Sequence, residues 1–596
     1  MKIARVQGYR NRQALVKISF VIIVFIFIYR AFGITNINAN NELLKLKASN
    51  NSEFTIIEKS IRGSILDRNN NLLAINLIHK KINLDPMILQ EEYIDLLAEA
   101  LNIPTDEFRE KINEKRQNKR KHFIVKEKLS VNDPILNNIA ELKKKRAEIC
   151  SKELKLESNS LLDKAKLLVG LKLAAKEKIE KVDCSWQSIA GVAIQPSGFR
   201  YYPKKDSIAP LLGKTDIKNI GVFGIESEYD QYLAGFDGAK RLSDNKNGSN
   251  IYYDAEIIRK FKEGQDLKLT IDSDIQFHVF NAIKEQAEFH EADSAAAIVL
   301  SPNGEILALA NYPSTNPNNY QDYSADDYRN RVFSDMTDPG STMKPFTMLL
   351  ALDKGLITAT DDELIDVTKR VGHIPPDGKY FGITIQKILE KSHNLGTVVV
   401  SERLSNEDYY STWGKLGFGK SLGIMPRTEN PGILKHYSDW GLADKRTLSY
   451  GYGPMNTNLA QLARAYLVFA NNGALPSLKL LKNDSTSDNL QQIFTPKSTQ
   501  RIAEILDSVA SMEGSGYRAV IDGYSVAGKT GTAEIVIDGN YNKKGAQRTY
   551  FVGFSPVENP KYIMAVRLDD PKKCFDYYKP TLKRRCAGSN LSLIHI

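Results

Sequence analysis

The chain has 596 residues, too many for one compact domain, so two or more domains are expected. Hydrophobic residues make up 42% and charged residues 26%, which argues against a largely disordered chain and against a polytopic membrane protein. A net charge of +10 over the whole chain does not indicate a nucleic-acid partner, and four cysteines without regular spacing argue against a disulfide scaffold.

The first predicted element is an apolar helix at residues 14–34. As a helix it would measure about 31 Å, close to the hydrocarbon thickness of a bilayer. Residues 1–17 contain five basic residues and no acidic one, so the positive-inside rule predicts a cytoplasmic tail at 1–13 and export of everything after the span. The alternative is a cleaved signal peptide, whose apolar region would be unusually long. The sequence therefore predicts a single-pass protein.

The next predicted region, residues 35–265, alternates short strands and helices. It contains a charged insertion at about 108–183, in which residues 109–128 carry nine Lys or Arg against three Glu. A nucleic-acid role for this run competes with a solvated helical insertion, and we favour the insertion because the segment is expected outside the cell.

The third region, residues 266–571, has the patterns of an α+β domain with an antiparallel sheet. A short β-pattern ends at Asp272, and a helix is expected from Ile275. A hairpin is predicted around Pro302-Asn303-Gly304. The remaining predicted elements are an apolar helix at 343–352 and strands at 295–300, 306–310, 526–535, 550–554 and 562–568.

A catalytic serine is indicated where the apolar helix begins. Pro339 and Gly340 interrupt the chain, Ser341 follows, and Lys344 lies one helical turn further on. A serine needs a base to remove its proton, and a lysine is such a base only when neutral. The positive end of the helix dipole and an apolar cleft both favour the neutral amine. Alone this S-x-x-K pattern is weak, because an N-cap serine explains it equally well.

Two further motifs strengthen the interpretation. Ser392-His393-Asn394 follows a helical pattern, and Lys529-Thr530-Gly531-Thr532 lies in a predicted strand. S-x-x-K, S-x-N and K-T-G in this order are shared by penicillin-binding proteins and serine β-lactamases. Second copies at 243–246 and 487–489 lie in polar loops and are interpreted as chance.

The chemistry suggests a role for each motif residue. Ser341 would attack a carbonyl, and Lys344 would take its proton. Ser392, near Lys529, would relay a proton to the leaving amine. Backbone N–H groups of Ser341 and Thr532 would form the oxyanion hole. His393 is interpreted as a surface or packing residue. The remaining predicted substrate contacts are Asn394 to an amide, and Lys529, Thr530 and Thr532, with Gly531 between them, to a carboxylate.

The whole chain up to about residue 571 resembles the class B penicillin-binding proteins, the monofunctional peptidoglycan transpeptidases. Its motif sequences are most similar to those of the division-specific member. The resemblance rests on segments 62–69, 200–203, 224–226, 269–272 and 449–453 together with the three motifs.

This resemblance implies an elongated mixed α/β non-catalytic pedestal at 35–265. It implies a β-lactamase-like transpeptidase domain at 266–571, with its sheet packed between helices. The implied substrates are stem peptides ending in D-Ala-D-Ala, and β-lactams would acylate the same serine. The implied partners are a polytopic membrane glycosyltransferase and other division-complex proteins. The implied location is the bacterial inner membrane, with the catalytic domain on the periplasmic side. No metal, nucleotide or nucleic acid is expected.

Two segments depart from the family pattern. The charged insertion is longer than expected, and residues 572–596 are atypical, which leads us to expect a truncated or frame-shifted end. Four alternatives stay open from the sequence. They are an elongation-specific transpeptidase, a catalytically impaired division scaffold, a serine β-lactamase and a β-lactam sensor.

Overall fold

The computed structural model describes residues 16–30, 53–130, 132–145, 191–244, 250–319, 324–360, 362–482, 490–537, 540–541, 546–573, 575–576 and 579–583. Some predicted features lie outside these residues. They are the tail at 1–13, the second half of the charged insertion from 146 onward, the second S-x-N copy and the chain after 583.

The strands are β1 (Glu53–Glu58), β2 (Ile65–Leu66), β3 (Leu72–Leu84), β4 (Phe123–Leu129), β5 (Val192–Tyr201), β6 (Gly238–Asp244), β7 (Asn250–Arg259), β8 (Leu267–Lys268), β9 (Ser294–Leu300), β10 (Ile306–Tyr312), β11 (Ile365–Asp366), β12 (Gly382–Ile383), β13 (Ile433–Leu434), β14 (Met455–Asn456), β15 (Ala474–Leu475), β16 (Gln491–Gln492), β17 (Ala527–Glu534), β18 (Val536–Ile537), β19 (Asn540–Tyr541), β20 (Gln547–Ser555), β21 (Tyr562–Asp569), β22 (Phe575–Asp576) and β23 (Lys579–Lys583).

The α-helices are α1 (16–30), α2 (Ile94–Ala100), α3 (Thr105–Gln117), α4 (134–145), α5 (Ala209–Leu212), α6 (Gly224–Glu228), α7 (Asp230–Ala234), α8 (Ser273–Phe289), α9 (Arg331–Ser334), α10 (Lys344–Asp353), α11 (Ile385–Glu390), α12 (Asn394–Ser401), α13 (Asn406–Leu416), α14 (Leu442–Leu448), α15 (Leu459–Ala470) and α16 (Pro496–Val509).

Contacts divide the chain into two compact units. The first comprises Met1–Ser60, His79–Ser197 and Phe236–Lys262, and the second comprises Ile61–Ile78, Gly198–Gly235 and Glu263–Ile596. The domain boundaries predicted from the sequence remain predictions. The described part of the predicted membrane span is α1, and no helix among the described residues is long and apolar enough to cross a membrane.

The first unit combines two sets of strands with a small helical core. β1, β6 and β7 form an antiparallel sheet in that order, and β4 pairs with residues 80–84 of β3. Phe108 and Ile112 of α3 are fully buried and belong to one apolar cluster with Ile82 and Leu84 of β3. The predicted charged insertion therefore begins as an amphipathic helix, with the charged residues of α3 outside this cluster.

The second unit is built on a five-stranded antiparallel sheet in the order β10-β9-β21-β20-β17. β17 ends this order, so it is an edge strand among the described strands. The predicted hairpin is confirmed as β9 and β10, with Leu309 opposite Ile298. Strands β17, β20 and β21 agree with the predicted ones to within three residues at each end. β20 and β21 each carry an apolar run bounded by polar or turn residues, whereas β17 is a run of small and polar residues.

Helices cover both faces of this sheet. Ala295, Ala297 and Val299 of β9 belong to a core cluster with α8. The alternate residues Ala296 and Ile298 belong to a larger cluster on the other face, which includes α10, α15 and α16. Because both faces are buried, β9 is apolar from its second residue to its end.

Three predicted boundaries shift. The β-pattern before Asp272 contributes only β8, because Asp272 instead caps α8 by accepting from the N–H groups of Asp274 and Ile275, at 3.1 and 3.3 Å. The helix consequently begins at Ser273. The apolar helix α10 ends at Asp353, and Gly355 follows with a φ of +68°.

Two ion-pair networks around fully buried arginines stabilise the second unit. Arg62 and Arg200 donate to the two carboxylate oxygens of Glu226, at 2.7 and 2.6 Å, and all three side chains are 0% exposed. Arg567 of β21 lies 2.6 Å from a carboxylate oxygen of Asp335 and 2.9 Å from one of Asp569. Buried charges of this kind are tolerated only when paired.

Candidate active site

The predicted nucleophile lies in a tight turn rather than in the α-helix itself. Residues Gly340–Met343 form a 3₁₀ turn, and α10 begins directly afterwards at Lys344. Side chains three residues apart share one side of a 3₁₀ turn, so Ser341 and Lys344 lie one above the other. Ser341 is partly exposed, whereas Lys344 is fully buried. Within the described residues the Ser341 hydroxyl makes no hydrogen bond.

Lys344 has three oxygen contacts, all with neutral groups. Its Nζ lies 2.5 Å from the carbonyl oxygen of Ser392, 2.5 Å from Oδ1 of Asn394 and 3.2 Å from the Ser392 hydroxyl. A neutral amine has two N–H donors and one lone pair. The two N–H groups can donate to the Ser392 carbonyl oxygen and to Asn394 Oδ1, and the lone pair can then accept a hydrogen bond from a hydroxyl. Burial lowers the pKa of Lys344 well below its ordinary value, and the charge of Lys529 lowers it further.

The second motif is held by an unusual backbone. Ser392 follows α11 with a φ of +54°, which is uncommon for a residue with a side chain. His393 is the N-cap of α12, and Asn394 begins that helix with an exposed side chain. The sequence interpretation of His393 as a packing residue needs refinement. Its Nδ1 accepts a hydrogen bond from the N–H of Gly396 at 3.0 Å, and its Nε2 lies 3.4 Å from Asp377.

The third motif lies on the edge strand β17. Lys529 is fully buried, and its Nζ donates to the carbonyl oxygen of Thr530 at 3.0 Å and approaches the Thr530 hydroxyl at 3.3 Å. Burial lowers the pKa of Lys529 to about 7. The Thr530 hydroxyl in turn donates to Ser515 at 3.4 Å. Sequence reasoning missed Ser515, which has no motif of its own.

Glycines bring the third motif against the serine turn. A Cβ on Gly531 would lie 2.8 Å from the methyl group of Thr342, and one on Gly340 would lie 2.8 Å from the carbonyl oxygen of Thr532. The same Thr532 oxygen accepts from the Tyr452 hydroxyl at 2.8 Å. The residues expected to supply the oxyanion hole thus belong to segments in direct contact.

A further segment supports the serine turn from behind. The N–H of Gly340 donates to the carbonyl oxygen of Gly451 at 3.0 Å, and the Thr347 hydroxyl donates to that of Ser449 at 2.8 Å. Gly451 has a φ of +87°, and a Cβ there would lie 2.1 Å from the Gly340 oxygen. The Gly-Tyr-Gly sequence at 451–453 indicates that another segment approaches the backbone closely there. The sequence alone does not identify that segment as the serine turn.

One partly buried acid beside the serine turn was also missed. Asp338 lies three residues before Ser341, and burial raises its pKa to about 6, while Arg548 acts in the opposite direction. A lone Asp before Pro-Gly normally indicates a turn, so no sequence signal separates it from a surface residue.

This fold and site define an active-site-serine acyltransferase of the penicillin-recognising class. All three motifs lie in one compact unit, and Lys344 contacts both Ser392 and Asn394. Residues 295–587 match the family model described as the penicillin binding protein transpeptidase domain, and residues 57–269 match the penicillin-binding protein dimerisation domain.

Named relatives agree with these matches. The chain is 33% identical over 403 residues to the probable peptidoglycan D,D-transpeptidase PbpC of Pseudomonas aeruginosa, covering 65% of this chain and 70% of that protein. It is 30% identical over 585 residues to the peptidoglycan D,D-transpeptidase FtsI of Buchnera aphidicola, covering 94% and 91%. Penicillin binding protein 3 of Mycobacterium tuberculosis, solved with aztreonam, has the same fold, with a TM-score of 0.61 at 20% identity over 90% of this chain and 96% of that one.

The chain belongs to the class B penicillin-binding proteins and is similar to their division-specific transpeptidase. The predicted family and enzyme class, a D,D-transpeptidase with a non-catalytic dimerisation domain, are confirmed.

Proposed function

We propose that this chain cross-links peptidoglycan stem peptides during septal wall synthesis through an acyl-enzyme on Ser341. The Ser341 oxygen attacks the carbonyl of a terminal D-Ala-D-Ala, its proton passes to Lys344, and the amide C–N bond breaks to release D-Ala. An amino group of a second stem peptide then attacks the ester and regenerates the serine. The contact of Lys344 with three neutral oxygens is the observation that carries this proposal.

Proton transfer to the leaving amine is assigned to Ser392. Its hydroxyl lies 3.2 Å from Lys344 Nζ, within reach of the lone pair of a neutral amine. Lys529, with a pKa of about 7, is the charge expected to polarise this step. β-Lactams imitate this acyl donor with a strained amide and would acylate the same serine.

Substrate binding is assigned to the edge strand and to the start of α12. Lys529, Thr530 and Thr532 offer one charge and two hydroxyls to the terminal carboxylate, and Gly531 keeps the strand close to the serine turn. The exposed amide of Asn394 is available to a substrate amide. The N–H groups of Ser341 and Thr532 would stabilise the oxyanion, which is supported by the contact between Gly340 and Thr532.

A single membrane anchor at residues 14–34 is proposed for the periplasmic location. The basic residues before it and its apolar sequence support this orientation. The proposed partners are a polytopic membrane glycosyltransferase and the division complex, as the similarity to the division-specific transpeptidase implies. Protease treatment of spheroplasts should digest the chain beyond residue 35. Full protection in intact spheroplasts, with digestion after lysis, would contradict the orientation.

Intact-mass spectrometry after incubation with a penicillin tests the proposed activity. The wild-type chain should gain one stable adduct, Ser341→Ala should gain none, and Ser243→Ala should behave as wild type. Ser243 is the matched control because it heads the second S-x-x-K copy. An adduct that disappears within seconds would favour a β-lactamase. A folded wild-type chain without an adduct would favour a scaffold.

A further inference from the structure

His393 lies between the two residues that contact Lys344, yet the proposed chemistry does not use its side chain. Its Nδ1 caps α12 by accepting the Gly396 N–H at 3.0 Å. This place is normally taken by Ser, Thr, Asp or Asn, whose oxygens stay acceptors at neutral pH. A histidine caps a helix only while Nδ1 carries no proton. The cap at the second motif is therefore titratable.

Three groups face the His393 ring. Asp377 Oδ2 lies 3.4 Å from Nε2, the Tyr380 ring meets it edge-on at 5.8 Å between centroids, and Lys344 acts on it electrostatically from α10. Because the Gly396 N–H only donates, the neutral ring must carry its proton on Nε2, toward Asp377. Burial lowers the pKa of His393, Asp377 raises it, and Lys344 lowers it, with the net shift downward.

We propose that His393 is a positioning residue that keeps Ser392 and Asn394 against Lys344 only while its ring is neutral, so that acid disrupts acylation. This inference rests on the proposed role of Ser341. A proton on Nδ1 would face the Gly396 N–H at hydrogen-bond distance, which removes the cap from the first turn of α12. The Ser392 carbonyl precedes that turn and Asn394 begins it, and both are partners of Lys344.

The test measures the penicillin acylation rate of the full chain between about pH 4.5 and pH 8.5, the range in which histidine titrates. His393→Ser supplies a cap that does not titrate, so its rate should fall less in acid than the wild-type rate. His393→Ala removes the cap and should be about tenfold slower than wild type where the wild-type ring is neutral, since small displacements of a catalytic group cost rate. In acid, where the wild-type ring also loses the cap, the two rates should converge. Asp377→Asn removes the carboxylate that favours the cation, so the acid fall should move to lower pH.

The matched control is Ser405→Ala, which removes the same kind of cap from α13, a helix without any of the three motifs. It should follow the wild-type pH profile. Equal acid falls in wild type and His393→Ser, or a His393→Ala rate equal to wild type at pH 8, would overturn the proposal.

Hydrogen exchange tests the cap independently of acylation. Hydrogen exchange of the Gly396 amide should lose protection in acid in wild type and retain it in His393→Ser. Equal protection in both proteins across the range would overturn the inference. If the wild-type chain takes up no penicillin, the proposed function fails, whereas the exchange result still decides the role of His393.

Discussion

Replacing Gly451 by alanine should displace the serine turn. The new Cβ would lie 2.1 Å from the Gly340 oxygen, whereas ordinary van der Waals contact begins at 3.4 Å. The two backbone segments must therefore separate by about 1.3 Å, and a misplacement of about 1 Å costs catalysis on the order of 100-fold. The φ of +87° adds about 1–2 kcal/mol of strain to the folded state.

Alanine variants of two other glycines separate the effect of backbone strain at positive φ from the effect of displacing the serine turn. Gly453 has nearly the same φ, +86°, but its Cβ would meet chiefly a side chain, at 2.3 Å from the Thr447 hydroxyl and 3.3 Å from the Thr447 Cβ, rather than the backbone of the serine turn. Gly355, with a φ of +68°, has nothing within 4 Å. Gly355→Ala should lose about 1 kcal/mol of unfolding free energy and keep the wild-type acylation rate. The acylation rate of Gly453→Ala should lie between those of Gly355→Ala and Gly451→Ala.

The assay is the second-order acylation rate with a fluorescent penicillin, measured beside urea unfolding for all three variants. Gly451→Ala should acylate about 100-fold more slowly than wild type while remaining folded. A folded Gly451→Ala that acylates within about threefold of wild type would refute the claim that this contact positions Ser341, since about 1.3 Å of displacement is expected.

Three further predictions concern stability, each followed by urea unfolding. Arg567→Met removes the buried charge that Asp335 and Asp569 share, but Arg329 still pairs with Asp335 and Arg548 with Asp569, so the loss should be about 3 kcal/mol, the lower end for a broken buried pair. Glu504→Gln, which breaks an exposed pair with Arg501, should cost under about 1 kcal/mol. Similar losses in both variants would contradict this. Glu226→Gln leaves two buried guanidinium groups without their shared carboxylate and should also cost about 3–5 kcal/mol, and a loss below about 1 kcal/mol would show that the pair is not buried in solution. Burial raises the pKa of Asp338 from 3.8 to about 6, so the native state retains a proton that the unfolded chain releases, and stability falls as pH rises through that window. Asp338→Asn should therefore be about 1–2 kcal/mol more stable than wild type at about pH 7 and equal to it at about pH 3, and a difference that does not change with pH would refute the assignment.

The catalytic sheet was predictable because its signals are local. β9 and β10 flank a Pro-Asn-Gly turn, and β20 and β21 are apolar runs with polar ends. The motifs were predictable for another reason. Their order and residue types indicated one site, and the contacts of Lys344 with Ser392 and Asn394 agree with that expectation.

The remaining features depend on packing between distant segments. Nothing around Gly451 in the sequence indicates that its carbonyl accepts from Gly340, because that pairing is set by the tertiary fold. The capping role of His393 escaped prediction because helix caps are expected from short oxygen-bearing side chains. The left-handed backbone of Ser392 likewise has no local cause, since such a conformation is rare for serine.

The edge position of β17 carries a risk that this enzyme must accept. An uncovered strand edge is a template on which any extended chain can add, including an unfolded neighbour that would begin an aggregate. Most proteins block such edges, but the peptide alignment proposed along Lys529–Thr532 requires the edge to be open at every turnover. β17 is only eight residues long and contains two glycines and a charged residue at its end. A short, glycine-containing edge holds a small peptide backbone and gives a long hydrophobic strand little to pack against.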